Sequence, residues 1–284
     1  MSKIHEALKK AQSELKSPPP VVEHVEHMEV ALPLADSVAL PPPLDATVAN
    51  MSRGSWVPQN PDLLLYGNNG DFIHLEAFRK LCSQLYLYGQ TRLLKTVLLT
   101  SAIPGEGKTF VTANLGIPLA RQKGKKILLV DGDLRQGTLA HLLGARPELG
   151  LVEYLKGQAT LEEIVQRGPV GDLYFISAGG VTDHAAELLR GNALRMAMSQ
   201  LTKVFDWILV DSPPALPVAD VSALGLVADG VLLVARAAMT DRDLVRKVRD
   251  MFPERVLGIA LNGVRRGDVY SAYEYPSYLK SPSS

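Results

Sequence analysis

Closely spaced glycines, a lysine and a threonine follow a hydrophobic run in the stretch SAIPGEGKTF. The stretch approaches the phosphate-binding pattern G-x-x-x-x-G-K-[ST], with Ala102 in place of the first glycine. Gly105 and Gly107 would let backbone N–H groups approach phosphate oxygens. Lys108 would reach the outer phosphates, and Thr109 would offer its hydroxyl to Mg²⁺. The alternative is an ordinary glycine turn followed by a lysine.

Two further hydrophobic runs end in aspartates. Asp131 and Asp133 end one run and are followed by Arg135, and Asp211 ends another. Carboxylates at strand ends can hold or orient Mg²⁺, and one of them can accept a proton from an incoming hydroxyl. We expect Asp211 to reach the metal through water. Each motif taken singly could instead be a strand that ends in a turn and a solvated acidic loop.

The elements that would position these residues are short β-rich runs that alternate with helix-length segments from Phe72 onward. The β-rich runs are TVLLTS, KILLVD, LYFIS, WILVD, GVLLVA and VLGIALN. Runs that are apolar on both faces indicate a parallel sheet covered on both sides, and ligands bind at the carboxyl ends of its strands. We therefore predict a doubly wound α/β domain over residues 72–265, with a mainly parallel sheet and helices on both faces.

Apolar residues at helical spacing predict a short amphipathic helix over residues 1–16, which is either a docking element or a fraying terminus. Residues 17–71 contain two proline triplets and no lasting period, which predicts a flexible, disordered tether. A second helical pattern, HLEAFRKLCSQLYLY, places four residues on one face: Phe78, Leu81, Cys82 and Leu85.

Composition excludes several function classes. The 284 residues contain 30 Lys and Arg and 30 Asp and Glu, so no overall charge favours nucleic acid, and we expect no nucleic-acid partner. One cysteine and a charged start without an apolar signal region are typical of a cytoplasmic protein. The longest apolar stretch is interrupted by Asp229 and Arg236, so we expect no transmembrane segment.

Taken together, the segments SAIPGEGKT, DGDLR and DSP resemble the motifs of the bacterial tyrosine kinases of capsule and exopolysaccharide export. These kinases are relatives of the MinD/ParA P-loop ATPases. The resemblance begins near Leu75 and continues to the C-terminus, and the opening MSKIHEALKKAQ resembles an autokinase subgroup of exopolysaccharide loci. It implies a sheet of P-loop NTPase type and an ATP- and Mg²⁺-dependent tyrosine autokinase.

The resemblance also implies individual roles. The catalytic residues would be Lys108, Asp131, Asp133 and Asp211, with Asp131 activating the acceptor tyrosine. The nucleotide-binding residues would be Pro104, Gly105, Glu106, Gly107, Lys108, Thr109, Phe110, Arg135 and Asn262. The Mg²⁺ ligands would be Thr109, Asp131 and Asp211. Asn262 would lie near the adenine base, although an asparagine after a strand is also a common turn former.

Four of the nine tyrosines fall within the last fifteen residues, in a segment without an apolar period: Tyr270, Tyr273, Tyr275 and Tyr278. We predict a mobile tail over residues 266–284. The resemblance makes these tyrosines autophosphorylation sites. An aromatic patch that packs on the domain or on a partner is the alternative.

The family forms rings through an E-x-x-R-x-x-R helix. Glu76 and Arg79 match this pattern, but Cys82 replaces the second arginine, which leaves ring formation open.

The implied partners are a membrane-bound chain-length determinant, or co-polymerase, as activator and a cognate tyrosine phosphatase. The kinase would then be cytoplasmic and peripherally associated with the inner membrane through its partner, with residues 1–16 as the docking element.

Two other functions remain compatible with these motifs. One is a MinD/ParA-like ATPase switch. The signature lysine of those ATPases would fall on Ile103 and is therefore absent, which argues against this alternative. The other is a scaffold that binds ATP without turnover, which the sequence does not separate from a kinase. Three histidines, His24, His27 and His74, are expected to be solvated and not to form a metal site.

Overall fold

The structure, a computed structural model, describes residues 43–58, residue 63 and residues 72–264, without the side chains of residues 72–74. Several predictions therefore lie outside the described residues. These are the N-terminal helix, most of the tether, the tail with its four tyrosines, and the side chains of His24, His27 and His74.

Hydrophobic runs form one sheet of seven strands within the described part of the chain. The strands are β1 (Thr96–Ser101), β2 (Ile127–Asp131), β3 (Val165–Arg167), β4 (Leu173–Ile176), β5 (Trp207–Asp211), β6 (Gly230–Arg236) and β7 (Val256–Asn262). Their order across the sheet is β3-β4-β2-β5-β1-β6-β7, and neighbouring strands are parallel except for β3 and β4. Every residue of β1, β2, β4 and β5 is buried, as a sheet covered on both faces requires.

Six of these strands coincide with the six runs recognised in the sequence, and the predicted doubly wound sheet is confirmed. β3 was not predicted. It contains three residues with the sequence VQR and pairs antiparallel with β4, with Val165 opposite Ile176. A run this short has no readable period, so only its pairing with β4 makes it a strand.

Ten helices lie within the ranges that the structure describes. They are α1 (Leu44–Asn50), α2 (Phe72–Thr91), α3 (Lys108–Ala120), α4 (Thr138–Leu143), α5 (Leu151–Leu155), α6 (Leu161–Ile164), α7 (Ala185–Arg190), α8 (Asn192–Val204), α9 (Asp220–Leu226) and α10 (Arg242–Met251). Buried side chains of α2, α3 and α4 join one hydrophobic core, and those of the other helices join a second. The sheet therefore has helices on both faces.

The helix α2 has the apolar face that its sequence predicts. Cys82 and Leu85 are buried, and Phe78 and Leu81 pack against the same core. Although α2 is 20 residues long, it carries polar and charged residues throughout. Among the described helices, none combines the length and the hydropathy needed to cross a bilayer.

Part of the predicted tether belongs to the domain. Leu44 and Val48 of α1 are buried in one core, and Trp56 is buried in the other. The Trp56 ring meets Phe175 of β4 edge to face, with 5.9 Å between ring centroids. The prediction of a flexible linker over residues 17–71 therefore does not hold for residues 43–58. Leu44 and Val48 are a single apolar pair one turn apart, beside a proline triplet. One such pair gives too little periodicity for a helix to be recognised in the sequence.

Replacing Trp56 by alanine is expected to lower the free energy of unfolding by about 3–5 kcal/mol, the usual cost of truncating a buried aromatic ring. Chemical denaturation followed by circular dichroism measures the change. Val57→Ala is the matched control, because Val57 is 71% exposed and its loss should change little. Equal stabilities of the wild type and Trp56→Ala would show that this segment does not support the domain.

Candidate active site

The loop between β1 and α3 has the backbone that a phosphate site needs. Gly105 and Gly107 have φ angles of 82° and 88°, in the left-handed region that favours glycine. Lys108 is the first residue of α3, and no side chain caps this helix end. The backbone N–H groups at the start of α3 therefore form a site suited to an anion. Ala102 is buried and is not among the described residues with positive φ, so an alanine fits where the pattern has glycine.

The space beside Gly107 is also limited. A Cβ atom at this position would collide with the side chain of Asn262 at the end of β7. Asn262 donates a hydrogen bond from Nδ2 to the carbonyl oxygen of Glu106, at 3.0 Å. The structure thus places Asn262 against the phosphate loop, whereas its expected contact with adenine stays a prediction.

Asp131 and Asp211 end neighbouring parallel strands and face each other in the register of β2 and β5. Both side chains are fully buried. Asp131 accepts hydrogen bonds from the backbone N–H groups of Leu139, at 2.9 Å, and Asp133, at 3.2 Å. The two strand ends that the sequence singled out therefore converge at the carboxyl edge of the sheet.

Burial affects the acidity of both carboxyl groups in the same direction. Burial, and next the charge of Asp211, raises the pKa of Asp131 well above its usual range. Burial also raises the pKa of Asp211 to about 6, although the charge of Lys108 and the hydroxyl of Thr109 act in the opposite direction. Asp211 therefore interacts with Asp131, Lys108 and Thr109, while the catalytic roles of these residues stay predictions.

The residues present fit a magnesium ion. Asp211 accepts a hydrogen bond from Thr112 through Oδ1, at 3.3 Å, while its buried Oδ2 has no hydrogen-bond partner. Such an atom is costly unless a ligand satisfies it. No three His, Cys, Asp or Glu side chains in the described ranges could hold a metal alone. Magnesium commonly binds one or two carboxylates together with substrate phosphates, which is what this arrangement provides.

Arg135 has a partner that the sequence did not reveal. Its guanidinium donates to both carboxylate oxygens of Asp220 on α9, at 2.6 and 3.2 Å. Asp220 is 1% exposed, so this is a partly buried bidentate ion pair. The nearby Asp133 accepts from the backbone N–H of Gln136, at 3.2 Å. The expected contact of Arg135 with a nucleotide stays a prediction, because the structure shows it bound to Asp220.

The remaining loop residues have distinct surroundings. Pro104 is exposed, whereas Glu106 is fully buried. Phe110, in the first turn of α3, meets Phe78 of α2 edge to face, with 6.4 Å between ring centroids, and so connects the two helices. Ile103 packs against the core. The buried Glu106 is a feature that its residue type, usually exposed, would not suggest.

Comparison with known proteins identifies the family. A family model described as an AAA domain matches residues 94–247. The tyrosine-protein kinase YwqD of Bacillus subtilis is 32% identical over 227 residues, which cover 79% of this chain and 94% of YwqD. The chain belongs to the bacterial tyrosine kinases. Seven further relatives with tyrosine-protein kinase or putative kinase names are longer, and the chain spans between 24% and 36% of their length.

Solved structures agree with this assignment. The kinase domain of the Escherichia coli tyrosine kinase ETK is 28% identical, with a TM-score of 0.64, and the match covers 78% of this chain and 93% of that domain. The septum site-determining protein MinD from Pyrococcus horikoshii, solved with Mg-ADP, is 26% identical. Its TM-score is 0.52, with 65% of this chain and 79% of that chain covered. The fold of this bacterial tyrosine kinase is therefore of the MinD-like P-loop type.

The candidate oligomer helix of this kinase departs from the E-x-x-R-x-x-R pattern in an interpretable way. Glu76 and Arg79 form an exposed ion pair one turn apart, at 2.6 Å. Cys82 instead points into the core, where its Sγ lies 3.9 Å from the carbonyl oxygen of Leu115. Burial raises the pKa of the Cys82 thiol to about 12, so it is an unreactive core residue.

Proposed function

We propose that this protein is an ATP- and Mg²⁺-dependent tyrosine autokinase that phosphorylates its own C-terminal tyrosine cluster. The observation that carries the proposal is the pairing of buried Asp131 and Asp211 in register, beside the phosphate loop. Phosphoryl transfer to a hydroxyl needs a phosphate loop, a metal site and a group that takes the proton of the attacking oxygen. A second buried carboxylate beside the loop could take that proton.

ATP would bind with its β- and γ-phosphates at the N-terminus of α3. The left-handed glycines leave room for backbone N–H groups to donate to phosphate oxygens. Lys108 begins that helix and would add its positive charge where negative charge is transferred. Binding of this kind is supported by the MinD structure solved with Mg-ADP, which shares the fold.

Magnesium would be held by Thr109, Asp131 and Asp211, with the unpaired Oδ2 of Asp211 as the strongest argument. When bound, the ion would neutralise charge on the transferring phosphoryl group. Asp131 would take the proton of the acceptor tyrosine. A carboxylate positioned beside the phosphate loop can act as such a proton acceptor. The tyrosine oxygen then bonds to the γ-phosphorus, the bond to the bridging oxygen breaks, and ADP leaves.

The acceptors proposed here are Tyr270, Tyr273, Tyr275 and Tyr278. Each phosphate would add a charge of about −1.5 to −2, enough to repel the tail from an acidic site or to loosen an oligomer. Glu76 and Arg79 would contribute to a ring-forming contact. Regulation by phosphorylation would therefore act through charge and oligomeric state.

Polysaccharide export is the proposed setting. One relative, from Klebsiella pneumoniae, is named for a cps region, and others are named tyrosine-protein kinase Wzc and Etk. By this proposal the kinase regulates the length or export of capsule or exopolysaccharide chains. A membrane-bound chain-length determinant would activate the kinase, and a cognate tyrosine phosphatase would remove the phosphates that the kinase adds. Its location would be cytoplasmic, at the inner membrane through that partner.

Replacing all four tail tyrosines by phenylalanine is expected to reduce phosphate incorporation from γ-labelled ATP to near background, with nucleotide binding retained. The matched control is Tyr88→Phe, because Tyr88 lies on α2 and is 39% exposed. Chelation of Mg²⁺ should abolish labelling in every variant. Hydrolysis without labelling would favour the MinD-like switch, and binding without hydrolysis would favour the scaffold.

A further inference from the structure

The turn after β6 reaches back to the phosphate loop. Ala238 has a φ angle of 58°, a left-handed conformation that alanine rarely adopts. The turn returns the chain so that the N–H of Thr240 donates to the carbonyl of Arg236, at 3.0 Å. The backbone N–H of Arg236 also donates to the hydroxyl oxygen of Thr240, at 2.8 Å. The position of the Thr240 hydroxyl is therefore fixed by its own turn.

The Thr240 hydroxyl proton is directed to the phosphate loop, where it donates to Oε1 of Glu106. The other carboxylate oxygen of Glu106 accepts from the backbone N–H of Ile103, at 2.8 Å. Glu106 is fully buried, so both hydrogen bonds offset the cost of removing its polar oxygens from water. Without Thr240, one oxygen of a buried carboxylate would lose its partner.

Two other side chains hold the same loop through its carbonyl groups. Arg236 donates from Nη1 to the carbonyl of Gly105, and Asn262 donates from Nδ2 to the carbonyl of Glu106, both at 3.0 Å. In a planar trans peptide, the C=O and the following N–H point in opposite directions. Fixing these two carbonyls therefore fixes the direction of the N–H groups of Glu106 and Gly107, which belong to the proposed phosphate-binding set.

From these contacts we infer that Thr240 is a positioning residue for the phosphate loop: through Glu106 it holds the loop in its nucleotide-binding conformation. The inference rests on the proposed nucleotide site. A carboxyl group within the proposed phosphate-binding loop must be held away from the phosphates, because both are oxygen-rich acidic groups. Thr240 does this by holding the carboxylate next to the turn that follows β6. Nucleotide affinity then depends on a hydroxyl that never touches the nucleotide.

The test uses isosteric replacement and direct binding. Thr240→Val keeps the shape and removes the hydroxyl, and it is expected to raise the Kd of Mg-ADP by about tenfold, as for a lost hydrogen bond to a charged group. Thr240→Ser should restore the wild-type Kd. The loss should appear in KM for ATP more than in kcat, because bound substrate and transition state use the same loop.

Thr202→Val is the matched control. Thr202 is a half-buried threonine on α8 whose hydroxyl donates to the carbonyl of Ser199. Its own carbonyl accepts from Lys95, which precedes β1 and so lies at the opposite edge of the sheet from the phosphate loop. This variant should bind Mg-ADP with the wild-type Kd. Thermal unfolding of all variants without nucleotide separates a general loss of stability from a loss of affinity.

A double-mutant cycle tests the route through Glu106. Glu106→Gln and Thr240→Val should each raise the Kd of Mg-ADP. The double variant should have a Kd little above that of the single variant with the higher Kd. Additive effects, or an unchanged Kd in Thr240→Val, would overturn the inference while leaving the kinase proposal intact. A wild-type protein that bound no Mg-ADP would overturn both. A drop in melting temperature with unchanged Kd would show a merely structural role for Thr240.

Discussion

Replacing Lys108 by methionine is expected to reduce phosphate transfer to tyrosine by about 100- to 1,000-fold, the usual effect of removing one preorganised group that stabilises developing charge. Methionine fills a similar volume without the charge. The fold should persist, because Lys108 is only half-buried at the start of α3 and the glycines that shape the loop remain. The effect therefore reports on chemistry and on nucleotide binding.

Transfer is measured as phosphotyrosine formed per minute under saturating Mg-ATP, and circular dichroism checks the fold. Lys123→Met is the matched control, since Lys123 is an exposed lysine in the turn that follows α3. It should retain the wild-type rate. Wild-type activity in Lys108→Met, with the fold unchanged, would contradict the assignment of the phosphate loop.

Replacing Asp211 by asparagine is expected to abolish Mg²⁺-dependent transfer and to flatten the pH dependence of stability. Burial raises the pKa of Asp211 from 3.8 to about 6, so the unfolded chain ionises before the native state does. The native protein therefore loses stability as pH rises from about 4 to about 6. Each pH unit between the two pKa values costs about 1.36 kcal/mol, so the total loss is ~3 kcal/mol. The amide that replaces this carboxyl group in the variant does not titrate. The raised pKa of Asp131 acts in the same direction; in the variant burial still raises it, but the contribution from the charge of Asp211 is lost.

The measurement is the free energy of unfolding from pH 4 to pH 7, in EDTA and without nucleotide, expressed as wild type minus variant. Asp250→Asn is the control, because the Asp250 side chain is 66% exposed on α10. The difference should shift across this interval for Asp211→Asn and stay flat for the control. A flat difference for both variants would mean that Asp211 titrates normally in the folded protein.

The sequence was most informative where local pattern and burial agree. Strands such as LYFI and WILVD are apolar at nearly every position, because helices cover the sheet on both sides. Polar residues that end such strands are conspicuous for the same reason. Asp131 and Asp211 could therefore be predicted to lie together, since carboxyl ends of neighbouring parallel strands meet at one edge.

What the sequence did not reveal depends on contacts between distant segments. Trp56 is buried because it meets β4, which begins more than a hundred residues later. Arg135 and Asp220 are 85 positions apart, and Glu106 and Thr240 are 134 apart. None of these pairs leaves a local period or motif. Only the fold brings them together, so neither the burial of Glu106 nor the ion pair of Arg135 with Asp220 could be read from the sequence.

The most direct test of the autokinase account is phosphopeptide mass spectrometry on the purified protein after incubation with ATP and Mg²⁺. It should be run with and without the cytoplasmic segment of the candidate membrane partner, beside Lys108→Met. The account predicts phosphate on one or more of Tyr270, Tyr273, Tyr275 and Tyr278 that is absent from the variant. An unmodified tail under both conditions, with ATP still bound or hydrolysed, would contradict it.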